Sequence, residues 1–294
     1  MLDRKLIFVI ILFSLFSIQV FATDFDVNSF HVSRMSEAYG STPDSDNWTP
    51  YADVNHDGVV DIKDLALVSK EGYSRKWKKI NSSIETNSTT ISVEPEKTYV
   101  GSVSKNFTID IDITEAQETW AWQFKLNWDP SVLNITNITE GMFLSQGIYD
   151  TSLANGEVIV INYTEGWVLV GNTLLEEPIP YPSGDGTLAI INFTVLNTVP
   201  DLGNSILHLD ETILILGDGL TEYNHSTEDG QFILCKADVN RDGKVDVFDL
   251  FDLSKAYGSD PSKLNWNPDA DLNNDNKVDA LDTSELNKNY GKIC

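Results

Sequence analysis

The chain has 294 residues, with 20 Lys and Arg against 45 Asp and Glu and a formal net charge of −25 at pH 7. That balance argues against nucleic acid and anionic membrane surfaces as partners, because both repel an acidic protein. With 41% hydrophobic and 10% aromatic residues the chain can build globular cores, and its two cysteines carry information by position rather than by number.

Taken from the start, Met1 to Lys5 carries Asp3, Arg4 and Lys5, after which Leu6 to Ala22 is almost wholly apolar and ends on Val20-Phe21-Ala22. Charged residues, a short apolar run and small or aliphatic residues at its end read as a secretory signal peptide over 1–22. The run is short for a membrane span, and an uncleaved anchor is the other reading. No second run of spanning length follows, so the mature protein is expected to be soluble or held only by other partners.

Residues 23–74 contain a twelve-residue stretch, Asp53-Val-Asn55-His-Asp57-Gly58-Val59-Val-Asp61-Ile62-Lys63-Asp64. Oxygen-bearing side chains at loop positions 1, 3, 5, 9 and 12 suit a hard cation that takes six to eight oxygens. Gly58 at position 6 suits the sharp turn, and the main-chain carbonyl of Val59 supplies position 7. The sentence recurs twice: as Asp238, Asn240, Asp242, Gly243, Lys244, Asp246 and Asp249, and as Asp271, Asn273, Asp275, Asn276, Lys277, Asp279 and Asp282. Three repetitions make Ca2+ at three sites the expected cofactor.

Arg75-Lys76-Trp77-Lys78-Lys79 is the one basic cluster and reads as a solvated flank. The Ser, Thr and Asn-rich residues after it complete a linker over 75–90. Residues 91–234 are strand after strand. Phe107-Thr-Ile109-Asp-Ile111-Asp-Ile113 and Trp120-Ala-Trp122-Gln-Phe124-Lys-Leu126-Asn-Trp128 alternate apolar with polar residues. Further runs at 157–163, 188–195, 206–209, 213–216 and 231–234 are separated by Gly, Asn, Asp and Pro turns. The expected fold is mainly β with small α modules: an antiparallel β-sandwich flanked by EF-hand-like loop–helix units. Trp120, Trp122 and Trp128 share a face with Phe124 and Leu126, which favours core packing over a sugar platform.

Asn-x-Ser/Thr sequons stand at Asn47, Asn81, Asn87, Asn106, Asn134, Asn137, Asn162, Asn192 and Asn224, candidate glycosylation sites in a secreted protein. Cys235 and Cys294 bracket the C-terminal segment 235–294, and an intramolecular disulfide between them is expected in an oxidising compartment; an intermolecular bridge through Cys294 is the alternative. The four histidines adjoin no nucleophile pattern, and no Gly-x-Ser-x-Gly, His-Glu-x-x-His or phosphate loop occurs, so no enzyme is expected.

The loops sit in longer repeats. Asp238, Asp249, Tyr257 and Gly258 recur 33 positions on as Asp271, Asp282, Tyr290 and Gly291, a tandem duplication. Ala38-Tyr39-Gly40-Ser41, Asn47-Trp48 and Asp53 recur 218 positions on as Ala256-Tyr257-Gly258-Ser259, Asn265-Trp266 and Asp271. The N-terminal counterpart of the first C-terminal loop falls at Val20 to His31 and lacks its acidic ligands, so 23–74 is expected to be a one-calcium half-module.

A duplicated loop followed by a helix, with Asp rather than Glu at position 12 and no entering helix, resembles a dockerin, well over 236–294 and partially over 26–73. The middle segment resembles a cohesin, the β-sandwich receptor of dockerins. The residues that carry this likeness are Gln123-Phe124-Lys-Leu126-Asn-Trp128-Asp129-Pro130-Ser-Val132-Leu133 and Gly184-Asp185-Gly186-Thr-Leu188-Ala-Ile-Ile191-Asn-Phe193-Thr-Val195. The resemblance implies a secreted, non-catalytic scaffold of cellulosome type. Its partners would be other proteins held by cohesin–dockerin contact, self-association is open, and carbohydrate binding or adhesion to polysaccharide is the alternative. It also implies that the pair before each position-12 Asp faces the partner: Ile62-Lys63, Val247-Phe248 and Ala280-Leu281.

Overall fold

The computed structural model describes residues 35–71, 89–153, 159–196 and 203–294. The signal segment 1–22, the degenerate loop at 20–31, nearly all of the expected linker and the sequons at Asn81 and Asn87 lie outside the described residues.

Eleven described strands form two sheets: β1 (Thr90–Glu94), β2 (Lys97–Val100), β3 (Asn106–Ala116), β4 (Thr119–Asn127), β5 (Leu133–Glu140), β6 (Ile159–Asn162), β7 (Trp167–Thr173), β8 (Gly184–Val195), β9 (Asn204–Leu216), β10 (Ser226–Glu228) and β11 (Gly230–Leu234). One sheet runs β10-β1-β3-β8-β5 and the other β2-β11-β9-β4-β7-β6. The first strand starts at Thr90, inside the stretch expected to be linker.

The sandwich is antiparallel except at one edge pairing in each sheet, where β1 runs parallel to β10 and β2 to β11. Both exceptions have one cause. The entering run crosses from one sheet to the other at Pro95-Glu96, the leaving run crosses at Asp229, and the two runs lie side by side in the same direction. The runs 206–209 and 213–216 are one strand, β9, carried through an irregularity at Glu211, whose φ is 45°. β7 is apolar on both faces and shows no alternation, which is why its sequence does not read as a half-buried strand.

Alternate residues of the two sheets meet in the middle. Phe107 stacks on Phe193 at 5.5 Å within one sheet and on Phe232 of the other at 5.0 Å, and Trp122 stacks on Phe124 at 5.6 Å. Trp122, Trp128 and Phe124 are buried, so no aromatic platform faces solvent there.

Among the described residues, the α-helices α1 (Ile62–Glu71), α2 (Met142–Ser145), α3 (Val247–Ala256) and α4 (Ala280–Asn289) accompany the sheets. Two separate apolar cores result. One fuses the sandwich with Met35, Ala38, Tyr39, Ala52, Val60, Ile62, Leu65 and Ala66 of the N-terminal unit. The other belongs to the C-terminal unit, around Val239, Val245, Leu253, Leu272, Val278 and Leu286.

Candidate calcium loops and docking faces

The three loops share one local geometry. The position-1 carboxylate accepts the N–H groups of positions 5 and 6: Asp53 from Asp57 and Gly58, Asp238 from Asp242 and Gly243, Asp271 from Asp275 and Asn276, all at 2.8–3.1 Å. The position-12 carboxylate accepts the N–H groups of positions 2, 3 and 9, as Asp64 does from Val54, Asn55 and Asp61 at 2.7, 3.0 and 3.0 Å. Positions 4 and 6 are left-handed in every copy: His56 and Gly58, Arg241 and Gly243, Asn274 and Asn276. Gly removes the Cβ penalty there, and Asn276 is the side chain that best tolerates it.

Positions 9 and 12 have a second task. Asp246 caps α3 and pairs with Asp249 in a capping box, and Asp279 does the same with Asp282 at α4. In the N-terminal copy Asp61 accepts from the Lys63 N–H while its own N–H donates to Asp64. The position-12 aspartate therefore ties loop and helix into one unit, because it satisfies orphan N–H groups at both.

By donor chemistry the loops fit a hard cation: carboxylate and amide oxygens with one main-chain carbonyl, held by main-chain N–H groups. Among the described residues no group of His, Cys, Asp and Glu alone could hold a metal ion. The loop carboxylates at positions 1 and 12 rest on backbone N–H groups instead. Burial pushes the Asp61 and Asp238 carboxyls up to about 6 and raises that of Asp64. A cation among the carboxylates acts in the opposite sense and keeps them ionised.

The partner-facing pairs have unlike settings. Val247, Phe248 and Leu281 are 56%, 61% and 62% exposed, and Ala280 is exposed too. They are surface residues and not core. Ile62 is 0% exposed, which corrects the expectation that it faces an outside partner: it is covered by the chain's own sandwich. Lys63 stands beside it, 3.6 Å from Glu222.

What covers Ile62 is one face of the second sheet. α1 lies across β4, β7 and β9, and its residues Ile62, Leu65, Ala66 and Ser69 recur at the helical spacing that makes one stripe, all fully buried. Polar contacts fix the register. The Gln123 side-chain oxygen of β4 accepts from the Ile62 N–H at 3.2 Å and from the Tyr39 hydroxyl, while its amide nitrogen donates to the Glu211 carbonyl at 3.1 Å. Ser69 shares a 2.9 Å hydrogen bond with Thr173 of β7 and accepts from the Trp120 indole N–H at 2.9 Å. Lys70 donates to Glu177 at 2.7 Å and to Tyr181 at 2.9 Å, and its ammonium lies 4.0 Å from the centre of the Trp120 ring. Trp120 thus meets α1, because the β4 register shift between Thr119 and Ala121 takes it out of the alternation shared by Trp122 and Phe124. Gly171 of β7 leaves room for Tyr39, whose hydroxyl would lie 2.2 Å from any Cβ built there.

These contacts are not legible residue by residue, although the stripe Ile62, Leu65, Ala66 and Ser69 and the polar Gln123 within an apolar strand are the signals that could have found them.

The C-terminal unit is attached elsewhere. Cys235 and Cys294 are joined in a disulfide, with Cα atoms 5.7 Å apart across 59 residues. Around it Cys294 N–H donates to Gly243 and Val245 N–H to Lys292, both at 2.9 Å, so the last residues run beside the first loop. Tyr99 of β2 packs on this unit against Gly243, and Asn274 donates to the Val103 carbonyl at 3.3 Å.

Of the described sequons, Asn47, Asn106, Asn134, Asn137 and Asn224 are exposed. The Asn47 amide donates to the Glu37 carbonyl at 3.0 Å, as Asn265 does to Lys255 in the other unit, so it has a structural task of its own. Asn162 and Asn192 are half-buried, and their side-chain oxygens accept from Thr164 and Thr108.

A β-sandwich with one loop–helix unit on its face and another at its end defines a modular interaction protein. The family model of the cohesin domain matches residues 89–234 and that of the dockerin type I domain matches residues 236–290. The chain therefore carries a cohesin domain followed by a dockerin type I domain, both non-catalytic interaction domains that serve cohesin–dockerin assembly. No curated protein matches the chain. Among solved structures it is similar to a non-cellulosomal cohesin from Archaeoglobus fulgidus, at 17% identity over 52% of this chain and 94% of that one, with a TM-score of 0.40. It is also similar to a cohesin of Acetivibrio cellulolyticus in complex with a dockerin, at 18% identity over 50% and 98% with a TM-score of 0.40. A type I cohesin–dockerin complex from Clostridium thermocellum matches at 10% identity over 53% and 98%, with a TM-score of 0.42. No helix among the described residues is long and apolar enough to cross a membrane.

Proposed function

We propose that the protein is a secreted, calcium-dependent adaptor that joins other proteins by cohesin–dockerin contact in an extracellular polysaccharide-degrading or cell-surface assembly. The observation that carries this reading is the C-terminal dockerin module. It has its own core, and it presents Val247, Phe248 and Leu281 to solvent immediately before the position-12 aspartates of its two loops. Exposed aromatic and aliphatic side chains at a helix start are the anchors a protein partner buries.

Calcium sets the presentation of those anchors. The C-terminal ligands would be Asp238, Asn240, Asp242, the Lys244 carbonyl, Asp246 and Asp249, then Asp271, Asn273, Asp275, the Lys277 carbonyl, Asp279 and Asp282. The third site would be the loop from Asp53 to Asp64. Removing the ion leaves four carboxylates per loop to repel one another, and those at positions 9 and 12 also begin the helix. Metal loss and loss of the docking face are therefore one event.

The test is to immobilise the full chain and pass over it the proteins secreted by the producing organism, in calcium and then in EGTA. Proteins released by EGTA should carry cohesin or dockerin modules by mass spectrometry. A chain that retains polysaccharide regardless of calcium, and no such protein, would overturn the reading.

A further inference from the structure

We infer that the N-terminal half-module is an intramolecular ligand of the sandwich: it fills, in cis, the β9-β4-β7 face, so this cohesin is closed to partners until residues 35–71 are displaced. The inference rests on the cohesin–dockerin reading above and adds which of the two binding functions is available in the free protein.

Internal homology carries the first step. The unit seated on the face is a relative of the C-terminal dockerin, matched without a gap 218 positions away, from Ala38-Tyr39-Gly40-Ser41 to Asp53. The structure thus shows this sandwich holding a loop–helix unit by the stripe Ile62, Leu65, Ala66 and Ser69, with Lys70 and Tyr39 at its sides. Under the same offset these positions of α4 are Ala280, Thr283, Ser284 and Asn287, and through the 33-residue duplication those of α3 are Val247, Leu250, Phe251 and Ser254, followed by Lys255. In α3 three apolar residues, Ser and Lys recur in the same order, yet there Val247 and Phe251 are exposed. Tyr39 is 1% exposed where its counterpart Tyr257 is 53% exposed. One surface of the repeat is buried at the N-terminus and exposed at the C-terminus.

Fit and tethering keep the cis unit in place. Ala66 lies fully buried against the sheet, whereas α3 brings Phe251 to that position, and extra volume enters a packed surface only with rearrangement. A ligand on the same chain also acts at an effective concentration on the order of millimolar. A second copy's α3, present at micromolar levels, is outcompeted by about a thousandfold unless it binds that much more tightly. Head-to-tail chaining of copies is therefore suppressed, and the free C-terminal plug is the active end.

A protease site placed in the 72–88 connection of the full chain tests the contact itself. After cutting in calcium, the N-terminal piece should co-elute with the sandwich on gel filtration; a piece that elutes alone overturns the inference. The full-length Ile62→Asp/Ala66→Asp variant should release the face, with amide exchange in β4 and β7 at least about tenfold faster than in the wild type. In sedimentation velocity with calcium the wild type should be monomeric, the double variant should self-associate, and adding Phe248→Ser and Phe251→Ser should restore the monomer. A wild type that oligomerises as readily as the double variant overturns the block. A double variant with fast-exchanging β4 that stays monomeric overturns the assignment of this face to the repeat. Each failure leaves the outward plug intact, because that is measured by EGTA-reversible capture on the wild-type chain.

Discussion

The two loop–helix units of this protein come from one repeat and have opposite settings. The C-terminal unit keeps both loops, surrounds a core of its own and closes its ends with Cys235–Cys294. The N-terminal unit keeps one loop, shares the sandwich core through Ile62, Leu65 and Ala66, and has its counterpart of Tyr257 buried on Gln123. The difference teaches that a loop motif fixes how a unit starts its helix, while the surroundings decide whether that helix is a plug or a structural part. A single-loop unit below the size at which small domains hold themselves together needs an outside surface to bury its stripe, and the sandwich supplies it.

The sharpest way to break the comparison is to charge the same position in both units. Ile62→Asp removes a fully buried side chain worth about 1.5–3 kcal/mol and leaves a carboxylate under the sheet. A loss on the order of 4 kcal/mol is expected in urea unfolding followed by tryptophan fluorescence. Val247→Asp, its counterpart 56% exposed, should change stability by no more than about 0.5 kcal/mol. Equal effects would mean that the two units are equally buried in solution.

The disulfide should separate the units next. Cys235→Ser opens a clasp across 59 residues and should lower the stability of the C-terminal unit by about 2–4 kcal/mol. Because the N-terminal unit shares no core with it, exchange at Gln123 and Tyr39 should stay unchanged. Transfer to EGTA gives a smaller contrast. Helix α3 should lose protection along with its loops, whereas α1, held by packing as well as by its loop, should keep most of its own in hydrogen exchange.

Much of this was legible in the residues. The twelve-residue spacing located all three helix starts, because the aspartates at positions 9 and 12 are at once candidate ligands and capping residues. Strict alternation in 107–113 and 122–128 placed both sheets' inner faces, and Cys235 and Cys294 paired as their bracketing positions suggested. The docking of the N-terminal unit was not legible. Alternation in β4 marks Ala121 and Gln123 as outward, and outward residues read as solvent-facing until a second element is known to lie on them. Likewise β7, covered on both faces, has no polar face to betray its period. Both failures have the same origin, a layer added outside a sandwich by a part of the chain distant in sequence.

The smallest effect on stability is expected from Phe248→Ser, and it separates a plug from a structural helix most cleanly. Phe248 is 61% exposed, so its ring gives up little burial when replaced, and the Asp246 carboxylate that caps α3 accepts from the main-chain N–H of residue 248 whatever the side chain. Unfolding should shift by about 0.5 kcal/mol or less in either direction. If the C-terminal unit is the active plug, the same change should nonetheless remove a docking anchor worth about 2 kcal/mol, a weakening of about thirtyfold in calcium-dependent capture of cohesin partners. The matching position of the N-terminal unit is Lys63, which pairs with Glu222 of its own sandwich. Lys63→Ser should leave capture unaltered, since an exposed ion pair contributes about 0–1 kcal/mol and this one faces no outside partner. Surface plasmon resonance on the two variants decides it: unchanged capture by Phe248→Ser would move the docking surface away from the start of α3, even with the fold intact.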